Sequence, residues 1–598
     1  MYKKLLGIIH LSDEKDTNFP LSRCYNDSQI SLFSPSVEKT GVRLQFQGKL
    51  YNQDTLKELL SIKELSSDHT IILKAYKKWG IDLLSKLDGI YAFALWDTQT
   101  QKLYLAKDRV SVQPLYYYHD MQSFLFGSSL RTMTTFAQFH KALDTSALSN
   151  YFTYGYIMQP NTIYKNCHKI KSAHYLCYDI EAQTYHETKY WDLGDAYDKE
   201  KLSLSIEEFT QESHRLLKAS IQKRVQGVSH PAASLSGGYD SSTIAALLQE
   251  KHSQKIKTFT MGFEDESINE APEAKAIAKH LGTEHHEHYF SAQDALHIVP
   301  KLSEVYDEPF YDNGSIPTTL LSSILQEEGV ETIFAGDGGD EVFATADDIE
   351  RFDRILSVPK PLRNTIFHLL NTLNPSKIPY LSSYQNFPTK YYKFTHFIKA
   401  DTIPDMVKVK MTLFHPYEIQ QLIQDSDTKF ASIFDDIHFG EHAQSVDKVI
   451  GSYFKTFMTD GELNKTIGAF SYQNISVREP YLDIDLVEFM ARVPSEIKIQ
   501  GGNKKHLLKQ IAYQHIPKPL LDRPKKGFSI PFSQWMKHEL KPLVMETLSY
   551  ENIKKDNILL PKYVLEIKNN FYAGKEEYKY KLWSILLYQL WYEKNMRD

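Results

Sequence analysis

Cysteine is scarce: only Cys24, Cys167 and Cys177 occur in 598 residues. That excludes a disulfide-built scaffold and fits a reducing compartment. No apolar run of 18 residues is present, and Leu5-Leu6-Gly7-Ile8-Ile9 is too short for a membrane span or a secretory signal. The expected location is therefore the cytoplasm, with no membrane partner. Basic charge is not in excess either. The 69 Lys and Arg face 75 Asp and Glu, a net charge of −6, so no general affinity for nucleic acid is implied. Apolar and charged contents of 42% and 24% are those of an ordinary folded chain with a core of normal size.

The most informative stretch is Ala233-Ser234-Leu235-Ser236-Gly237-Gly238-Tyr239-Asp240-Ser241-Ser242. A short apolar run reads as a strand, a Gly-Gly turn rich in hydroxyls follows, and Ile244, Leu247 and Leu248 then recur at helical spacing. Strand, glycine turn and helix N-terminus together make an anion site, because backbone N–H groups turn inward at the positive end of the helix. Ser236, Ser241 and Ser242 add hydroxyl donors. Asp240 would repel a bare phosphate and makes sense as a ligand to a bridging Mg2+. No lysine follows the glycines, so this is not the G-x-x-x-x-G-K-[ST] loop. The run resembles the S-G-G-x-D-S signature of the pyrophosphate-loop ATPases, which implies ATP cleaved between its α and β phosphates.

Before this stretch the chain is strand-rich. Gly7-Ile8-Ile9, Gln47-Gly48-Lys49-Leu50-Tyr51-Asn52, the run Leu87 to Asp97, and Ala106-Lys107-Asp108-Arg109 through Tyr117 occur in that order, separated by turns. They resemble the glutaminase domain of the asparagine synthetase family. The resemblance implies a four-layer αββα sandwich of the N-terminal-nucleophile type over residues 1–195. Tyr190-Trp191-Asp192-Leu193 is expected to be its closing strand, and Gly194 to Lys201 a polar linker. Glutaminase chemistry needs a thiol with a free α-amine beside it. The chain opens Met1-Tyr2-Lys3, and exposing Cys24 would require trimming past the strand that should carry the nucleophile. Gln47 replaces an asparagine that helps hold glutamine, and the arginine of the glutamine clamp is missing. The expectation is a retained scaffold without glutaminase activity.

Residues 196–598 are expected to form the ligase part: a doubly wound parallel α/β nucleotide domain followed by helices. Ala335-Gly336-Asp337-Gly338-Gly339-Asp340-Glu341 ends one strand of it and resembles the family's S-G-[DE]-G-x-D-E. The resemblance implies that Asp340 pairs with Asp240 on Mg2+, that Asp337 faces the acyl-adenylate and the amine, and that Ser234, Met261, Ala335 and Gly336 line the nucleotide site. Arg523-Pro524-Lys525-Lys526-Gly527-Phe528 matches R-P-K-x-G-F, which implies a phosphate-facing, charge-stabilising Lys525. Glu462 lies where some relatives place an acid that orients a base. Glu284-His285-His286-Glu287-His288 alternates as on a strand and has no second ligand pair at finger-like spacing, so zinc is not expected.

The resemblance implies two steps: a carboxylate attacks Mg-ATP to give an acyl-adenylate and pyrophosphate, and an amine then forms an amide and releases AMP. Missing the thiol, the chain resembles the branch that includes lasso-peptide macrolactam cyclases and β-lactam synthetases. Tyr76-Lys77-Lys78-Trp79-Gly80 before Leu87-Asp88-Gly89 favours the lasso cyclases. Expected partners are then a precursor peptide carrying acid and amine, a leader-peptide-binding protein and a protease. An asparagine-synthetase-like enzyme using ammonia is the alternative reading, and a non-catalytic binding subunit the third.

Overall fold

The computed structural model describes residues 4–10, 25–26, 30–32, 37–39, 41–64, 66–266, 268–373, 387–523 and 530–597. The chain divides into two compact units. One comprises Met1–Ala147, Met158–Asp192 and Gln222–Gln226; the other comprises Leu148–Ile157, Leu193–Ile221 and Gly227–Asp598. No helix among the described residues is long and apolar enough to cross a membrane.

The first unit holds two six-stranded antiparallel sheets. One runs, in spatial order, Cys167–Lys169, Tyr116–His119, Ser123–Gly127, Leu6–His10, Ile30–Leu32 and Tyr25–Asn26. The other runs Thr184–Lys189, His174–Asp179, Lys102–Lys107, Gly89–Asp97, Val42–Leu50 and Val37–Lys39. The apolar run Gly89–Asp97 is buried on both faces because it serves two cores. Successive side chains point to opposite faces of a strand. Ala92, Ala94 and Trp96 therefore join Ile9, Phe124 and Phe126 of the facing sheet. Tyr91, Phe93 and Leu95 pack with Ile71, Ile72 and Ala75 of the helix Asp68–Trp79. A fully buried side chain of this size contributes about 2–3 kcal/mol. The outer face of the first sheet is covered by the short helix Leu130–Met133 and by Phe139, whose ring lies 4.6 Å from that of Tyr118. The layers are helix, sheet, sheet, helix.

Near the end of this unit the expected elements are displaced. The last strand is Thr184–Lys189, not Tyr190–Leu193. The Tyr190 hydroxyl donates to the Lys107 carbonyl at 2.6 Å, a side-chain tie that holds the segment after it has left the ladder. Residues 194–201 are not a plain linker. Leu193–Tyr197 is helical, and Leu193, Ala196 and Tyr197 are buried, because these apolar groups outweigh the polar ones beside them.

The second unit is built on a five-stranded parallel sheet in the order Glu284–Phe290, Lys257–Phe263, Ala232–Ser234, Thr332–Phe334 and Ser476–Arg478. Chain order reverses between Ala232–Ser234 and Thr332–Phe334, so the loops after these two strands open side by side. Ligands bind at such a switch point in open α/β sheets. The helix Tyr239–Lys251 follows the first loop and is buried from Ser241 to Leu248, which fixes the loop's exit direction. The remainder is mainly helical, closing with the helix Lys579–Tyr592 and the π-helical turn Glu593–Arg597. The indole N–H groups of Trp583 and Trp591 donate to the carbonyls of Tyr311 and Asp307, at 2.8 and 3.2 Å, anchoring the segment that precedes Asp312.

Candidate active site

The two loops at the switch point are pressed together. A Cβ on Gly339 would lie 2.3 Å from Asp240 Oδ1, so only glycine lets the second loop approach. Gly237 has φ +79°, and a Cβ there would lie 2.7 Å from the Arg523 guanidinium. Arg523 braces the first loop. It donates to the Gly237 carbonyl at 3.3 Å and pairs with Glu270 at 3.3 Å. Within the loop, Ser241 Oγ accepts from Ser236 N–H at 3.1 Å and lies 3.0 Å from Ser236 Oγ. Gly238 caps the helix with no side-chain bond to its first N–H groups. Those donors are what an anion would use.

A cavity of about 400 Å³ opens at this point. Ser234, Ser236, Asp240, Ser241, Met261, Ala335, Gly336, Asp337, Asp340 and Glu462 all line it. Gly237, Gly238 and Ser242 do not: the glycines shape the turn, and Ser242 is fully buried within the helix's first turn, its N–H on the Gly238 carbonyl. Lys525 and Lys526 lie outside the described residues, as does Cys24.

The cavity wall carries two clusters of acids, each organised by a lysine. In the first, Lys505 Nζ lies 2.7 and 2.6 Å from the two carboxylate oxygens of Asp240 and 2.7 Å from Asp340 Oδ1. The two aspartates come from different loops and converge on one point. Burial opposes the charge on Lys505, but the carboxylates outweigh it and raise its pKa. Behind it, burial first and Asp340 second push the Glu341 carboxyl up to about 8. In the second cluster, Lys465 Nζ lies 2.7 Å from Glu462 Oε1 and 3.8 Å from Asp312 Oδ2. Burial works against its charge too, and Glu462, Asp312 and Asp337 together hold it protonated. Asp337 is half-buried, its buried Oδ2 has no hydrogen-bond partner, and desolvation followed by the nearby Glu462 charge pushes it up to about 7. Glu462 reaches this cluster from the end of a π-helical segment, Phe454–Glu462, a geometry that recurs at functional sites.

Among the described residues no group of three or more His, Cys, Asp or Glu is placed to hold a metal ion, the Glu284–His288 run included. Mg2+ does not require such a group. It is commonly held by one or two carboxylates with the rest of its shell from water and substrate phosphates. Asp240 and Asp340, converging on one cation, fit that pattern.

Lys505 and Lys465 are the site residues that sequence reasoning missed. Lys505 stands in Asn503-Lys504-Lys505-His506, where nothing local distinguishes it from its neighbour; Lys504 pairs instead with Asp347. Lys465 follows Glu462 by three, one helical turn, and that spacing was a readable signal.

A glycine-shaped anion loop beside a carboxylate-rich second loop, at the switch point of a parallel sheet, defines an α/β enzyme that activates a substrate with a nucleotide. Residues 212–593 match the asparagine synthase family model, and residues 33–191 match that of a glutamine amidotransferase domain. The chain belongs to the asparagine synthase family and is an ATP-dependent carbon–nitrogen ligase. It is 32% identical over 368 residues to a Methanocaldococcus jannaschii protein named as a candidate glutamine-hydrolyzing asparagine synthetase 2, covering 60% of this chain and 69% of that one. It is 24% identical over 581 residues to glutamine-hydrolyzing asparagine synthetase 1 of Bacillus subtilis, covering 92% and 85%. A Gibberella zeae protein named amidase chry2 is 23% identical over 560 residues, covering 86% and 81%.

Proposed function

We propose that this ligase activates a carboxylate as an acyl-adenylate and joins it to an amine that is not freed from glutamine by its own first unit. The particular form proposed is a lasso-type macrolactam cyclase, closing an amide within a ribosomal precursor peptide. A leader-peptide-binding protein and a protease would act with it. The observation that carries the amine-using reading is Asp337, a half-buried carboxyl in the cavity wall with one buried oxygen left bare and a pKa pushed up to about 7. Such a group takes the proton that an incoming ammonium must lose before it attacks. Glu462 and Lys465 orient it and set its charge. The loop Ser236 to Ser241 receives the phosphates, and Lys525 is assigned to the charge that builds on them. Asp240 and Asp340 would hold Mg2+, which shields phosphate charge when bound.

Two features speak for an amine source other than glutamine. The strand Leu6–His10 carries no thiol. Cys167 and Cys177, the cysteines among the described residues, are both buried, and burial raises the Cys177 thiol above its ordinary pKa. Neither is a nucleophile by environment. The curated relatives favour a second reading, in which ammonia and aspartate or another acid are the substrates.

The deciding experiment incubates the purified protein with Mg-ATP and, in turn, any short peptide encoded beside its gene, aspartate with ammonium, and glutamine. A dehydrated peptide product with AMP and pyrophosphate supports the cyclase. Asparagine formation replaces it with the second reading, and brisk glutamine hydrolysis overturns the amine assignment in both. No pyrophosphate exchange with any acid, alongside tight binding of a partner, would make the chain a binding subunit.

A further inference from the structure

The geometry points to Lys505 as a built-in cation that closes the Asp240–Asp340 pair to a free divalent ion and yields that place only when the metal arrives with nucleotide. Its ammonium touches both carboxylates at 2.6–2.7 Å, the distances of charge-assisted hydrogen bonds. The backbone is arranged for this contact. Lys505 has φ +55°, a left-handed conformation that a residue with a side chain seldom adopts, immediately before the helix His506–Tyr513. Its N–H donates to the carbonyl of Ala344, itself at φ +67°, on the chain just past Asp340. The side chain is 91% buried, so the ammonium cannot drift to water while Asp240 and Asp340 stay in place.

Two carboxylates facing each other at a cavity wall would otherwise bind any divalent ion. With Lys505 between them, a bare ion meets a site whose negative charge is already halved by one ammonium. A metal–nucleotide complex brings four phosphate charges of its own, to which the displaced ammonium can turn. Metal and nucleotide therefore enter together, and the resting enzyme keeps its acid pair from trapping metal in an unproductive pose. This rests on the ATP-dependent reading of the site and not on which acid or amine is joined.

The test titrates Mn2+ into the full-length protein without substrates, followed by electron paramagnetic resonance of the free ion and by thermal unfolding. Wild type is expected to bind Mn2+ weakly alone, and much more tightly with α,β-methylene-ATP present. Lys505→Met is expected to bind Mn2+ alone about tenfold more tightly than wild type, with a Mn2+-dependent rise in melting temperature that wild type lacks. Lys505→Arg should retain the wild-type weakness, and Lys505→Met combined with Asp340→Asn should lose the gain. Tight Mn2+ binding by nucleotide-free wild type at Asp240 and Asp340 overturns the proposal even where Lys505→Met fails to fold. So does equal affinity in wild type and Lys505→Met. Neither outcome touches the ligase reading, which pyrophosphate exchange tests separately.

Discussion

Asp108 is a wholly buried carboxylate of the first unit and Asp337 a half-buried one of the second, and their surroundings differ. Asp108 accepts from the N–H groups of Val110, Val112 and Gln113 at 3.0–3.1 Å and from that of Tyr91 at 3.3 Å. Every donor is backbone, and the carboxylate holds the turn after the strand Lys102–Lys107. Asp337 has an oxygen with no partner, in a cavity wall, beside a second acid and a lysine. A buried polar group that is fully satisfied belongs to the scaffold, whereas one left bare stores free energy that a ligand can release. The first unit reads as architecture, and the second as chemistry.

The largest effect expected from this contrast is at the metal pair. Asp240→Asn should lower pyrophosphate exchange by at least about 100-fold while the protein stays folded by circular dichroism. Next comes Asp337→Asn. It should spare exchange to within a few-fold and remove amide formation, measured in single turnovers. In wild type the rate of that step should rise with pH through about 7, because the useful form is the deprotonated one and lies above the pKa. The rise should be absent in the variant. Lys465→Met sharpens the same point: losing the cation that lowers the Asp337 pKa should move the midpoint of the rise up by about one unit. For the scaffold acid the expectation is reversed. Asp108→Ala should cost about 3 kcal/mol of stability in denaturant unfolding, with exchange per folded molecule unchanged. The smallest effect is at the thiols. Cys167→Ser and Cys177→Ala, singly, should change the exchange rate by less than about two-fold, since neither thiol is reactive by environment. A large loss in either would reopen thiol chemistry in the first unit.

Local structure was legible where the chain's own periodicity decides it. Lys257–Phe263 is a strand whose Thr and Phe residues favour extended backbone. The anion loop and its helix follow from Ser236-Gly237-Gly238 and the Ile244, Leu247, Leu248 spacing. The reading failed at Tyr190–Leu193 and Gly194–Lys201. There, aromatic residues resembling a strand are held by a side-chain hydrogen bond, and a polar-looking stretch hides three buried groups. The hydroxyl of Ser242, expected to join those of Ser236 and Ser241 at the anion site, is turned into the core by one helical step of 100°.

Residue order alone was enough to mark the glycine loops and the acids they carry, because backbone freedom and hydrophobic periodicity act between near neighbours. Only the tertiary structure decided that Lys505 sits on Asp240, 265 residues away in sequence, and that Asp337, Glu462 and Lys465 share one wall. Charge and burial act through space, so a lysine's partner and an aspartate's pKa depend on what folding brings beside them.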